Sequence, residues 1–381
     1  MTSPDIPSFN RAEFEGRVAR LRAVMRERGA EVMLLDDIEI LAYFTGYERS
    51  ISYYRACLVP LEGEPLMVLR SLDTAPFLET AWFEQHVGYA DAQDPVDLLT
   101  AEIKQRWGTN LRLGIDFGSH GMTVDVFQRL QAGLPGATFV AMTNVPWELR
   151  LVKSAAEVQH IERASGIADQ TMGEMAARAR IGMSGRDMAA FAAARYIELG
   201  GLPGHVGPIT YGKDWGFLHG HLHDTPMQSG DVLHIELVPR FRGYSARIMR
   251  SVVMGEPTAL QRDTAEKLIA LQDAQIVAMV PGASAHAVDA LLRDGVLRAG
   301  LRESYDNITG YTVGYYSQQP VRSSDFTRVF GPHSDWTLEA GMVFHMYTSA
   351  RGLAISETVL VESDGPRRLT QLPRKLYTAG A

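Results

Sequence analysis

The chain predicts an α+β protein led by a smaller α/β domain, and three observations carry that prediction. At 381 residues it exceeds what one compact core usually holds, so two domains are expected. Its first part mixes short apolar runs with helical stretches, whereas its later part reads as helices and antiparallel strands, the pattern of helices packed on one sheet face. Between them runs an extended, proline-containing link, VPWELRLVK.

In chain order, Phe14, Val18, Leu21, Val24 and Met25 have helical spacing over 13–28, and Gly29 stops that helix. Residues 31–36 form a short apolar strand, and 41–47, 56–60 and 65–69 predict further strands separated by glycine-containing turns. Strands at 111–116 and 138–141 flank a helix at 124–132. A boundary near Arg150 gives domains 1–150 and 151–381. Ser154 followed by Glu157 has capping-box spacing and opens a helix over 155–179, with a second at 185–199. Hairpin strands follow at 232–238 and 243–253, then helices at 258–280 and 284–299, then strands near 342–347 and 354–362.

With 46% hydrophobic and 22% charged residues, the composition is that of an ordinary globular chain. A formal charge of -8 supplies no basic footprint for nucleic acid and no polybasic stretch for an anionic membrane. The lone Cys57 leaves no intrachain disulfide and no Cys-rich zinc site, and it fits a reducing compartment. The N-terminus lacks an apolar leader core, and no run of about 18 apolar residues occurs. A cytoplasmic protein without membrane or nucleic-acid partners is expected.

Several phrases in this order resemble the creatinase, or pita-bread, superfamily, which includes Xaa-Pro aminopeptidases and prolidases. They are LAYFTGYERS, ELRLVKSAAEVQHIERA, SGDVLHIE, FRGYSARIMR, ITGYTVGY, LEAGMVFHM and AISETVLVESDG. The resemblance implies a pita-bread C-terminal domain behind a smaller α/β domain. It also implies five ligand positions for a pair of divalent metals, and this chain departs at each. Those positions hold Glu236, Arg247, Tyr311, Tyr347 and Ser356. One carboxylate beside a guanidinium, two phenols and a hydroxyl lacks the oxygen ligands that two hard cations require. No metal and no cofactor is therefore expected. The remaining polar groups are costly to bury unless paired with each other or with a ligand, which favours a repurposed pocket over a decayed one.

The chain resembles the metal-free branch represented by creatinase and ectoine hydrolase. The spacing that branch uses for a catalytic histidine, counted back from Gly230, lands on His219, with His221 and His223 as neighbouring alternatives. Tyr311, His345 and Glu357 also match that branch. Splitting a planar C-N centre without metal calls for a proton carrier, and His219 is assigned general acid/base. Glu236 fits an anchor for a cationic amidinium through two parallel hydrogen bonds, or a structural partner of Arg247. Arg247, or Arg55 from the N-terminal domain, fits an anionic end of the substrate. Arg55 enters only because dimers of this family place that domain over the partner's site. Tyr311 and Tyr347 fit donors to a tetrahedral centre. His345 shares strand parity with Tyr347 and either faces the site or fills the core. Glu357 alternates with Ile355 and Val359, so it either binds substrate or pairs with an arginine.

The combined reading is a cytoplasmic, homodimeric, metal-independent hydrolase of C-N bonds in a small nitrogenous compound such as a cyclic amidine or amide. The alternatives are an Xaa-Pro peptidase with an atypical site, a non-catalytic binding module and a lyase.

Overall fold

The structure is a computed structural model and describes residues 8–49, 52–213, 215–317 and 326–379. The chain divides into two compact units, with the boundary between Arg150 and Leu151. In the first unit the elements are α1 (Arg11–Arg28), β1 (Val32–Leu35), α2 (Ile38–Thr45), β2 (Ala56–Pro60), β3 (Leu66–Arg70), α3 (Thr74–Thr80) and β4 (His86–Tyr89). These lead into α4 (Pro95–Trp107), β5 (Arg112–Ile115), α5 (Val124–Gly133), β6 (Thr138–Ala141) and the short α6 (Val145–Glu148). Among the described residues they build a six-stranded mixed sheet in the order β4-β3-β2-β1-β5-β6.

The first helix begins where Asn10 accepts the Glu13 N–H and ends at Gly29, which sits at φ 73 as a left-handed cap. One sequence expectation is corrected here. Residues 41–47 are not a strand: most of them lie in α2, which Asp37 caps by accepting the Glu39 N–H and Gly46 closes. All but one of the residues of α2 are buried, so its apolar run carries no amphipathic period and looks like a strand until the cap is weighed. The helices α3 and α4 were not anticipated, although Asp94 followed by Pro95 is a recognisable helix start.

The second unit runs α7 (Ala155–Arg178), α8 (Gly185–Glu198), β7 (Ile209–Gly212), β8 (Val232–Leu237), β9 (Arg240–Phe241), β10 (Tyr244–Ser245) and β11 (Ile248–Met254). It continues with α9 (Ala259–Val277), α10 (Ala285–Arg298), β12 (Gly310–Thr312), β13 (Val329–Phe330), β14 (Val343–Ala350), β15 (Leu353–Glu362), β16 (Gly365–Arg368) and β17 (Tyr377–Ala379). Its main sheet has the strand order β13-β12-β14-β15-β11-β8-β7, with β16 on β15 and β17 on β11. The Ser154 and Glu157 capping box is formed, and Glu157 also accepts the Tyr244 hydroxyl at 2.9 Å, which ties the start of α7 to the hairpin.

Strand parity divides this sheet into two faces. Leu233, Ile235 and Leu237 of β8, with Ile248 and Val252 of β11, pack on Ala168, Met172 and Met175 of α7 and on Met188 and Ala192 of α8. Met346 and Val359 join Ile276 and Val288 in a second cluster under α9 and α10. The helices thus cover one face, where Arg250 and Glu357 are paired with each other, and the other face of these strands carries most of their remaining polar residues. Gly207, at φ +108, lies so close to β8 that a Cβ there would fall 2.0 Å from the Glu236 carbonyl oxygen. Only glycine permits that approach. It lets the adjoining Pro208 carbonyl accept the Glu236 N–H at 2.8 Å.

Candidate active site

Register arranges the polar face in three transverse rows. In the first, Tyr311 opposes His345 and His345 opposes Thr358. The row ends at Arg247, whose N–H donates to the Thr358 hydroxyl at 2.8 Å and whose carbonyl accepts from it at 2.9 Å. In the second, Tyr347 opposes Ser356, Ser356 opposes Met249 and Met249 opposes Glu236. In the third, Ser349 opposes Ala354, and Ser251 opposes His234, which in turn opposes Thr210. Directly opposed residues of an antiparallel pair share a face, so Glu236, Arg247, Tyr311, Tyr347, His345 and Ser356 converge on one surface.

An aromatic cluster occupies one end. The Tyr311 ring lies 5.0 Å from His345 and 6.0 Å from Tyr347, and His345 stacks on Tyr347 at 5.3 Å. Phe326 stacks on Tyr311 at 4.5 Å. The Arg247 guanidinium lies 4.6 Å from the centre of the Tyr316 ring and is almost wholly buried. Burial first, and then the nearby Arg247 charge, push the His345 imidazolium far down, so this ring is neutral at physiological pH. Neither His345 nitrogen has a hydrogen-bond partner among the described residues, although the side chain is fully buried. Ser356 Oγ, Thr210 Oγ1 and His234 Nδ1, on the same face, are likewise without one. Buried polar atoms are usually hydrogen-bonded, so these five atoms on one face are available to a bound molecule.

The phenol of Tyr347 is held protonated. Burial pushes its pKa up, helped by Tyr305 and the Glu236 carboxylate and opposed by Arg293 and Arg302, so it stays an O–H donor across the physiological range. Tyr347 also borders an open pocket of about 300 Å³ that contains His219, His234, Met249, Arg302, Asn307 and Ser349. That volume lies at the small end of ligand sites.

His219 is exposed in the loop after the short 3-10 turn Trp215–Phe217 and meets the pocket from that side. His221 and His223 are also exposed, and His223 packs edge-on to Tyr211. Two other candidates are placed away from this surface. The carboxylate of Glu357 points to the helix-covered face, where it meets Arg250 at 2.8 Å and accepts from the Thr370 hydroxyl. Arg55 belongs to the N-terminal unit, where burial pushes its pKa down and Asp36 and Asp37 oppose that shift. Sequence reading missed His234, two residues before Glu236 and therefore on its face, a parity signal legible in VLHIEL. It also missed Arg302 and Asn307, which lie in a loop without motif.

The donor set does not fit a pair of divalent cations. Among the described residues the surface offers one carboxylate with two phenols, hydroxyls, neutral imidazoles and a guanidinium, whereas hard cations need several anionic oxygens. Among the described residues no group of three or more His, Cys, Asp or Glu side chains is disposed to hold a metal ion. No helix among them is long and apolar enough to cross a membrane.

Comparison with known proteins agrees with this architecture. Residues 17–152 match the creatinase/prolidase N-terminal domain, and residues 159–363 match metallopeptidase family M24. Ectoine hydrolase of Halomonas elongata is 25% identical over 402 residues, which span 97% of this chain and 98% of that protein. The Xaa-Pro dipeptidase of Pyrococcus furiosus is 27% identical over 246 residues, 62% of this chain and 68% of that protein. Among solved structures, an Xaa-Pro dipeptidase from Bacillus anthracis superposes with a TM-score of 0.82 at 19% identity, covering 96% of this chain and 99% of that one. A prolidase from Thermococcus sibiricus gives the same TM-score at 22% identity with the same coverage. The chain has the creatinase-type two-domain, pita-bread fold and belongs to metallopeptidase family M24 as a hydrolase of that family.

Proposed function

We propose that this protein is a metal-independent hydrolase that splits a C-N bond in a small nitrogenous compound, a cyclic amidine or related amide of the kind the name ectoine hydrolase implies. One observation carries the reading: among the described residues, the face of the sheet that register assembles around Glu236, Arg247, Tyr311, Tyr347 and Ser356 contains a single carboxylate among neutral donors and one guanidinium. That composition suits an organic cation better than a metal pair.

In this mechanism Glu236 holds the amidinium through paired hydrogen bonds, which keeps the substrate carbon electrophilic. Water adds to that carbon while His219 accepts its proton. The protonated Tyr347 donates to the tetrahedral centre, with Tyr311 beside it. Collapse breaks the C-N bond, the proton passes from His219 to the departing nitrogen, and an amide and an amine result. The neutral His345, set between the two tyrosines, hydrogen-bonds the substrate without bringing charge. The protein acts as a cytoplasmic homodimer in this reading.

A second reading, hydrolysis of a peptide bond, is favoured by the family match and the Xaa-Pro dipeptidase relatives. One panel separates the two. Purified protein is assayed against amidines, ureas, betaines and dipeptides, with His219→Ala and Glu236→Gln alongside. Turnover of an amidine or small amide that both substitutions abolish supports the proposal. Turnover confined to dipeptides, or surviving both substitutions, overturns it. No turnover of any class would favour a binding module.

A further inference from the structure

Part of the lining of the pocket that contains His219 and Tyr347 is not used by the mechanism above. Arg302, Asn307, His234 and Ser349 line it, and no aspartate or glutamate lines this pocket among the described residues. The loop bearing Arg302 and Asn307 is anchored by a buried polar network. On α10, Asp289 accepts from Arg293 Nε at 2.6 Å and from the Thr309 hydroxyl at 2.7 Å. Arg293 Nη2 donates to the Asn307 carbonyl at 2.8 Å, and Gln275 of α9 donates to Thr309 Oγ1 at 2.9 Å. The Thr309 carbonyl in turn accepts the Tyr347 N–H at 3.0 Å, so loop and site strand are fixed together.

On this support Arg302 Nη2 donates to Asn307 Oδ1 at 3.0 Å, and the guanidinium lies 4.2 Å from the centre of the Tyr305 ring. Its charge reaches the site, because it counters the upward shift of the Tyr347 phenol. His234 forms part of the wall; it is 1% exposed and its Nδ1 is without a partner among the described residues. Burial, then the neighbouring His219, push its pKa down to about 3, leaving a neutral ring. An anion here meets a positioned guanidinium and a neutral imidazole, whereas a second cation meets only repulsion.

We propose that Arg302, positioned by Asn307 and assisted by His234, is the subsite for a carboxylate of the substrate, which makes the substrate a small amino-acid-like molecule with its scissile C-N group toward Glu236. This rests on the function proposed above and adds an anionic end to it. It assigns to Arg302 the role that sequence reading gave to Arg247 or Arg55.

The test uses matched pairs, each compound supplied as its carboxylate and as its primary amide, drawn from cyclic amidines, N-acyl amino acids and dipeptides. Turnover is measured together with calorimetric binding to the full-length protein. Wild type is expected to prefer the carboxylate member by about 100-fold in kcat/KM. Arg302→Gln raises KM for the carboxylate by about 30-fold, with the amide unchanged and kcat little affected, and Arg302→Lys restores part of the preference. Asn307→Ala keeps the charge but loosens it and gives a smaller loss, so the outcome stands even if Arg302→Gln fails to fold. Equal handling of both members by wild type, or an equal loss on both in a folded Arg302→Gln, overturns the subsite. Carboxylate-selective binding without turnover overturns the hydrolase reading while supporting the subsite. Binding of no member overturns both.

Discussion

The Thr358 hydroxyl closes a two-way clasp on Arg247, accepting its N–H at 2.8 Å and donating to its carbonyl at 2.9 Å. The clasp joins β15 to the start of β11 and sets the buried guanidinium in the same row as His345 and Tyr311. Thr358→Val keeps the side-chain shape and removes both bonds. It is expected to cost about 1–3 kcal/mol in urea unfolding and to lower kcat/KM, because a buried N–H and C=O lose their partner. Wild-type stability and activity in that variant would show that the row does not depend on the clasp.

Glu357 is expected to act on stability rather than on substrate. Its carboxylate is wholly buried against Arg250 at 2.8 Å, with Arg374 at 3.8 Å and Arg368 at 3.9 Å. Removing one partner of such a group leaves buried cations uncompensated, so Glu357→Ala should lose about 3–5 kcal/mol. KM should be unchanged at temperatures where the variant is folded. A raised KM without a lower Tm would instead return Glu357 to the substrate.

Tyr347→Phe separates packing from chemistry. The phenyl ring keeps the stack on His345, while the O–H donor is lost. A fall in kcat of about 10- to 100-fold with little change in Tm is expected from steady-state assays and thermal melts. An unchanged kcat would remove Tyr347 from the reaction.

The N-terminal unit predicts a pH effect of definite sign. Burial lifts the Asp36 carboxyl from 3.8 to about 7, against the opposing bonds from Ser119 and Tyr54. The folded state therefore holds this proton more tightly than the unfolded chain. The stability it contributes is complete below about pH 4 and is lost as pH rises to about 7. Asp36→Asn abolishes that titration, so its Tm relative to wild type should improve between pH 5 and pH 8. Parallel curves for the two proteins would refute the assignment.

Much of this was legible in the chain, and the exceptions have physical causes. Capping residues are local, so Ser154 with Glu157 marked the start of α7, whereas Glu236, Tyr311 and Tyr347 were brought together by the resemblance of their phrases to the family's ligand positions. Glu357 could be read from its alternation with Ile355 and Val359, although the arginines it meets come from β11, β16 and the segment beyond and were not visible. Residues 41–47 misled because a helix buried at all but one residue has no polar face to reveal its period. Arg302 reaches the pocket only through the fold of a loop held by Asp289 and Arg293, and the Thr358 clasp joins residues 111 positions apart. Neither relation has a sequence spacing to betray it.

Metal analysis of protein purified without added metal, combined with turnover of an identified substrate in excess chelator, tests the central claim most directly. The account predicts substoichiometric metal and unchanged turnover in chelator. Stoichiometric metal that leaves with activity on chelation and restores it on return would contradict the account.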